Sequence, residues 1–173
     1  MRKSLLIEQF DAELPSTREV LLAVPSTGFD WKPHPSSFSI GRLAMHVAAI
    51  PGWMKAFTES DAYDMGAGGP GPAAPAAHAE ILDTFEHAVA RGRASLAAVD
   101  DVALGEPWAL LRDGEAIARM TRAEAVARYV VRHLVHHRGQ LTVYLRLRDA
   151  PVPAIYGDSA DRRLLPMLLR SDA

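Results

Sequence analysis

The sequence of 173 residues contains no cysteine. This absence excludes disulfide bonds, Cys-ligated zinc, iron–sulfur clusters and a thiol nucleophile supplied by the chain itself. Lysine is scarce as well, with three Lys against sixteen Arg, and the formal net charge is only −2. Electrostatic binding of nucleic acid requires a clustered excess of cations, which this chain lacks. We therefore expect no nucleic-acid partner.

Long hydrophobic runs are also missing. No stretch approaches the roughly 20 apolar residues of a membrane-spanning helix, and Met1 to Leu5 lead into an amphipathic segment rather than the apolar core of a signal peptide. We expect no membrane partner and, by default, a cytoplasmic location. With 49% hydrophobic and 23% charged residues, the composition is typical of a globular domain with a real core. The length predicts a single domain over residues 1–173.

Four segments carry apolar residues at helical spacing. Pro15 should kink or divide the first, because proline lacks an amide donor and clashes with the preceding turn. Ser39 can cap the second, and Thr121 with Glu124 forms a capping box that begins the fourth. The four predicted helices cover residues 4–23, 39–54, 75–99 and 121–148.

The connections between these helices differ in composition. Residues 66–77 contain only Gly, Pro and Ala, which predicts a flexible loop. Asp113-Gly114 lies between short apolar runs and predicts a small hairpin, because both residues tolerate the positive φ of a tight turn. The tail to Ala173 can add a short helix. These elements predict an all-α fold, a four-helix bundle of up-down-down-up type with a small hairpin before the last long helix.

The seven histidines are the strongest chemical feature of the sequence. Residues four apart share a helix face, so His133 and His137 can direct their imidazoles to one point, as when one helix supplies two ligands to a metal ion. They could also be surface or hydrogen-bonded core histidines, which a pair of histidines alone favours. His136 points about 100° away from His137 but could pair with His133 instead. Spacing alone does not decide between these pairs.

His46 could supply a third ligand. It lies in the almost wholly apolar stretch from Arg42 to Ile50, where an imidazole is costly unless its nitrogens find a partner. It is either a core histidine bonded to a carbonyl group or a ligand donated from a second helix. Two ligands from one helix and one from another would leave coordination positions open, as in catalytic metal sites.

The other histidines join no cluster in the sequence. His34 lies between two prolines in a loop, where we expect a structural or pocket-lining role. His78 and His87 lie on a polar part of the third predicted helix, and we expect both to be solvated.

Three stretches of the chain resemble the DinB family of metal-dependent proteins. Residues 31–48 are similar to its Trp-x-Pro-x-Pro loop, which enters a helix with Leu-x-x-His. His133-x-x-x-His137-Arg138-Gly139-Gln140 is similar to its HxxxHRGQ motif, and residues 151–158 resemble the family's ending. The resemblance implies a four-helix bundle in which three histidines bind a divalent metal ion, commonly zinc or nickel. By motif position these ligands are His46, His133 and His137. It also implies a homodimer, and a transferase or isomerase activity that uses low-molecular-weight thiols.

These features favour a metal-dependent enzyme that transfers a low-molecular-weight thiol to an electrophilic small molecule. A three-histidine divalent ion can lower the pKa of a bound thiol, and the thiol must come from a cosubstrate because the chain has no cysteine. A metal-dependent hydrolase and a non-catalytic stress protein that binds metal or small molecules are the alternatives.

Each of four further side chains has two candidate roles. Arg42 or Arg138 could bind a carboxylate of the cosubstrate, or could lie on a solvated or salt-bridged face. Gln140 could orient a ligand histidine or form an interhelical hydrogen bond. Tyr144 could line the pocket or fill the core.

Overall fold

The computed structural model describes residues 2–67 and 71–164 and contains four helical segments in this part of the chain. The first is α1 (Lys3–Leu22), and the second joins α2 (Ile40–Ala49) to α3 (Met54–Thr58) through the 3-10 turn Ile50–Trp53. The third is α4 (His78–Ala98), which is followed by the short helix α5 (Asp101–Gly105). The fourth joins α6 (Arg122–Val126) to α7 (His133–Leu147) through the π-helix Ala127–Arg132.

The helix boundaries follow local chemistry. The Ser39 hydroxyl accepts a hydrogen bond from the Arg42 amide at 3.2 Å and begins α2. Thr121 and Glu124 form the predicted capping box at the start of α6. Pro15 does not divide α1, whereas Pro51 lies in the 3-10 turn that follows α2. Proline removes one backbone donor, and the tighter turn there accommodates that loss.

A three-stranded mixed sheet lies beside the helices. Its strands are β1 Ala62–Asp64, β2 Pro107–Arg112 and β3 Glu115–Thr121. The central strand β2 pairs with β1 in parallel and with β3 in antiparallel orientation. The predicted all-α class, and with it the up-down-down-up bundle as a description of the whole fold, is therefore wrong.

The predicted hairpin is present within this sheet. Asp113 and Gly114 have φ values of 52° and 81° and form the turn between β2 and β3. The Asp64 carboxylate accepts hydrogen bonds from the amides of both turn residues, at 3.0 and 2.8 Å. These bonds connect the end of β1 to the hairpin turn and explain how a strand of only three residues is held in the sheet.

The core forms where the helical segments meet. Both α1 and α2 pack against α4 and α7, and buried apolar side chains come from each of them, among them Phe10, Leu43, Phe85 and Leu134. Gly92 of α4 lies directly against the second helical segment. A Cβ atom built on it would lie only 2.4 Å from the Pro51 carbonyl oxygen. None of the described helices combines the length and apolar character that a bilayer crossing requires.

The C-terminal segment has no helix between residues 151 and 164. Its Asp161 carboxylate accepts a hydrogen bond from the Val152 amide at 2.9 Å and pairs with Arg146 of α7 at 2.6 Å. The short helix predicted for the tail is absent from these residues, and residues 165–173 lie outside the described part of the chain.

Candidate metal centre

Helices α2 and α7 bring His46, His133 and His137 together. One ring nitrogen from each lies within 4.8 Å of the others, and the Nε2 atoms of His46 and His133 are 3.4 Å apart. Two nitrogens bound at 2.0–2.1 Å to a tetrahedral zinc ion are about 3.4 Å apart. The three side chains could therefore hold a divalent metal ion with little movement.

The arrangement follows from helix geometry. His133 and His137 lie one turn apart on α7 and share a face, and α2 packs against this helix and carries His46. The π-helical segment Ala127–Arg132 ends directly before His133. Its wider turn accommodates an extra residue, so it sets the rotation of both α7 histidines relative to the capping box at the start of α6.

Hydrogen bonds orient two of the rings. His137 donates from Nδ1 to Oε1 of Gln140 at 2.7 Å, which leaves its Nε2 as the lone-pair nitrogen. His133 makes a hydrogen bond with the backbone of Tyr129. Of the two roles expected for Gln140, the interhelical hydrogen bond is not the one observed, because its partner is a histidine of the three-histidine cluster on the same helix.

The three imidazoles are half-buried and favour the neutral form. Burial, followed by the influence of the neighbouring histidines, lowers the pKa of His46 and of His133 from 6.5 to about 4. Burial also lowers the pKa of His137, although the Gln140 hydrogen bond opposes this shift. Metal ligation requires the unprotonated nitrogen, so the electrostatics suit a metal ligand near pH 7.

Aromatic rings flank the centre. The Trp53 ring meets the rings of His46 and His133 edge-on at 5.2 and 5.3 Å, and the Phe38 ring lies 5.9 Å from that of His46. Sequence reasoning missed both residues. Trp53 follows His46 by seven residues, which is two helical turns along one face, so the spacing does contain a signal for it. Phe38 lies just before the Ser39 cap.

His136 lies outside the cluster. It is exposed, and its ring meets that of His137 at 4.8 Å without contributing a nitrogen to the three-histidine group. His34 is also exposed, and its Nδ1 accepts a hydrogen bond from the Ser36 amide at 3.2 Å. This contact fits a structural role in the loop.

The two histidines of α4 differ from each other. His87 is exposed, as predicted, and bonds to the Asp83 carbonyl oxygen at 2.7 Å. The prediction of a solvated side chain is wrong for His78, which is half-buried and donates from Nε2 to the Leu21 carbonyl oxygen at 3.1 Å. It links the start of α4 to the end of α1.

Arg138 does not face the metal centre as a free anion receptor. Its side chain is only 1% exposed and pairs with the Glu13 carboxylate at 2.7 Å. It also donates to the hydroxyl groups of Ser16, Thr17 and Tyr156, at 2.6, 3.1 and 2.6 Å. The residue that follows His137 therefore anchors α7 to α1 and to the C-terminal segment.

Tyr144 connects α7 to the loop before α2. Its hydroxyl donates to the Phe38 carbonyl oxygen at 3.3 Å, and its ring meets that of Trp31 edge-on at 5.9 Å. These two interactions do not involve the histidine nitrogens. The Tyr144 side chain is half-buried and does not lie fully in the core. Its contact holds the backbone of an aromatic residue that flanks His46.

The family model described as the DinB family matches residues 1–163. The chain belongs to the DinB family. Membership agrees with the resemblance of the two histidine motifs, and the DinB match covers every residue of the three-histidine cluster.

Two solved structures share the fold of this DinB-family chain. A DinB-like protein of Bacillus subtilis is 16% identical and aligns with a TM-score of 0.65, over 87% of this chain and 96% of its own. A DinB-like protein of Bacillus cereus ATCC 10987 is 20% identical and aligns with a TM-score of 0.67, over 87% of this chain and 95% of its own. At these identities the likeness concerns the fold alone. No curated protein matches the chain.

Proposed function

We propose that this DinB-family protein binds one divalent metal ion, zinc or nickel, through His46, His133 and His137, and that it transfers a low-molecular-weight thiol to an electrophilic small molecule. The observation that carries the proposal is the convergence of three neutral imidazole nitrogens within 4.8 Å. Membership in the DinB family supports the same ligand set.

His46, His133 and His137 would hold the divalent ion, which would lower the pKa of a bound thiol and so favour the thiolate near neutral pH. The chain's own residues prepare this chemistry. Gln140 holds the ring of His137 through its Nδ1 hydrogen bond. Phe38 and Trp53 place apolar surface beside the ligands, which displaces water from a reacting sulfur. The sulfur itself must arrive with a cosubstrate, because the chain contains no cysteine.

Hydrolysis is less well supported than thiol transfer. Activation of a water molecule usually requires a general base near the metal. Among the residues that the structure describes, no carboxylate joins the three-histidine cluster, and none contributes to the pKa shifts of its members. A thiol needs less help, because its pKa is already closer to 7 than that of water.

Metal content tests the first half of the proposal. Protein purified without chelators should contain about one equivalent of divalent metal, and His133→Ala should lose it because two imidazoles remain. His136→Ala is the matched control, since this neighbouring histidine is exposed and lies outside the cluster. Equal metal content in the wild type and in His133→Ala would contradict the site.

Turnover tests the second half. We expect the metal-loaded protein to consume thiols in the presence of small electrophiles, and His133→Ala to lose this activity. Tight binding of thiols without turnover across a broad panel of electrophiles would instead indicate a non-catalytic binding protein.

We also propose that the protein is a homodimer. This proposal rests on the family resemblance, and light scattering coupled to size-exclusion chromatography measures the subunit number directly.

A further inference from the structure

Phe38 is an exposed aromatic residue beside the three-histidine centre. The residue is 38% exposed, although the centre of its ring lies only 5.9 Å from that of the His46 ring. Phenylalanine is usually buried, because apolar surface in contact with water is unfavourable. An exposed ring at this position therefore offers apolar surface that a substrate at the three histidines would cover.

The surrounding residues hold the Phe38 ring in place. The Phe38 carbonyl oxygen accepts a hydrogen bond from the Tyr144 hydroxyl of α7 at 3.3 Å, and the next residue, Ser39, caps α2. The Arg42 guanidinium lies over the ring, with its central carbon 4.6 Å from the ring centre. A side chain that is already fixed loses little conformational freedom when a substrate packs against it, so more of the contact energy contributes to binding.

A second aromatic side chain borders the same histidines. The Trp53 ring meets the rings of His46 and His133 edge-on at 5.2 and 5.3 Å. In the described part of the chain no carboxylate joins the cluster. Aromatic rings attract one another in stacked and edge-on arrangements beyond the effect of the buried area alone. The surface beside the histidines is thus suited to a planar apolar group.

We propose that Phe38 determines specificity for the electrophile and that this electrophile carries an aromatic group, which packs against the Phe38 ring. The inference rests on the proposed function and specifies its substrate class. The reacting carbon of the electrophile would lie at the three histidines, next to the sulfur of the thiol. Its aromatic group would cover the exposed part of the Phe38 ring.

Two epoxides with the same reacting group test this assignment. Styrene oxide carries a phenyl ring where propylene oxide carries a methyl group. In both reactions the thiol loses its proton to solvent, and its sulfur forms a bond to an epoxide carbon. The bond from that carbon to oxygen breaks, and the oxygen takes a proton from water. The product is a hydroxy thioether in each case, so the two reactions differ only in the group that would meet Phe38.

The quantity to measure is the ratio of kcat/KM for styrene oxide to kcat/KM for propylene oxide, corrected for the uncatalysed rates. We expect the zinc-loaded full chain to prefer styrene oxide. Phe38→Ala should lower the ratio about tenfold, because it removes an aromatic contact together with its buried area. Phe38→Tyr should keep the preference, since it retains the ring. A general effect of either substitution on the centre changes both reactions and cancels in the ratio.

Tyr63→Ala is the matched control. Tyr63 is similarly exposed, at 41%, and its ring lies 6.5 Å from that of Phe57. It makes no ring contact with a histidine among the described residues, so its removal should leave the ratio unchanged. The zinc content of each variant is measured in parallel, and Phe38→Leu provides the same comparison if Phe38→Ala does not retain zinc.

The possible failures are distinguishable. An unchanged ratio in Phe38→Ala, or a wild type that does not prefer styrene oxide, would overturn the aromatic subsite while leaving the metal centre and the thiol transfer intact. A zinc-loaded wild type that consumes neither epoxide with 2-mercaptoethanol, cysteine or glutathione would overturn the proposed function, and the subsite with it.

Discussion

The proposed metal centre depends in part on one hydrogen bond, between Gln140 and His137. This bond holds Nδ1 of the His137 ring as a donor and leaves Nε2 with its lone pair. Partners of this kind usually change metal affinity by 10- to 100-fold. A residue that never touches the metal is therefore expected to matter almost as much as a ligand.

We predict that Gln140→Ala lowers zinc affinity about tenfold. The expected loss arises because the His137 ring can then rotate and present either nitrogen. Competition with a chromophoric chelator measures the change. Gln140→Glu is the informative companion, because its carboxylate still accepts the Nδ1 hydrogen bond and should preserve affinity. Unchanged affinity in Gln140→Ala would show that packing alone orients the ring.

Arg138 contributes to the stability of the fold. We predict that Arg138→Met lowers the free energy of unfolding by about 3 kcal/mol, because it leaves the Glu13 carboxylate without its buried partner. Urea denaturation measures this loss. Combining it with Glu13→Gln should restore part of the stability, since the orphaned charge is then removed.

Arg146→Gln is the control for Arg138→Met. Arg146 also forms an ion pair, with Asp161, but both partners are substantially exposed, and such pairs contribute little. Similar losses for the two substitutions would contradict the assignment of Arg138 as a buried anchor.

At the scale of the helices, alanine substitutions at two glycines should change the stability of the protein in opposite directions. Gly92→Ala should destabilise the protein by roughly 1–3 kcal/mol, because the new Cβ atom would lie 2.4 Å from the Pro51 carbonyl oxygen. Gly139→Ala should stabilise it by roughly 0.5–1 kcal/mol, because alanine favours the helix and, beyond the adjacent residues and the local helix backbone, no described atom lies within 4 Å of the new methyl group. Thermal unfolding of both variants tests the pair, and equal effects would contradict the close contact between α4 and the second helical segment.

The sheet shows where sequence patterns stop being sufficient at this scale. The hairpin was predictable because Asp113-Gly114 encodes its turn locally. Strand β1 was not, because its three residues carry no alternating pattern and it pairs with β2, more than 40 residues later in the chain. Its position depends on the carboxylate of Asp64 and on the hairpin turn. A contact between such distant segments leaves no recognisable pattern in a short stretch of the sequence.

The histidine centre was predictable in a similar, partial way. Four-residue spacing brought His133 and His137 to one face but could not exclude His136, because the rotation of α7 depends on its packing against α2. The family motif selected His137, and the structure brings its nitrogen to the cluster while leaving His136 exposed. Trp53 and Phe38 were missed because apolar residues at helical spacing look the same in a core as around a metal site.

At the scale of the whole molecule, the histidine pKa values link the centre to the stability of the metal-free protein. His46 and His133 have a pKa of about 4 in the folded chain against an ordinary value of 6.5. As pH falls below 6.5, the unfolded chain binds protons that the folded chain does not. The free energy of unfolding should therefore decrease from about pH 6.5 to about pH 4.

Urea denaturation of the metal-free protein across this pH range tests the expectation. Acidic residues contribute to the same trend at its lower end, so the double variant His46→Asn/His133→Asn is the reference. Its pH dependence between 6.5 and 5 should be shallower than that of the wild type. Parallel curves would show that the two imidazoles titrate normally in the folded state.

The π-helical segment before α7 has a consequence for how this protein can change over evolutionary time. It fits an extra residue into the path between the capping box and the ligand histidines. Deleting one residue within Ala127–Arg132 would allow a regular α-helix to form and would leave the downstream residues on their present faces, whereas deleting one residue from a regular α-helix turns everything downstream by about 100°. After the deletion within Ala127–Arg132, His133 and His137 would still face α2. This segment can therefore lose a single codon without separating the three histidines, although the same loss at a regular position between His133 and His137 would separate them.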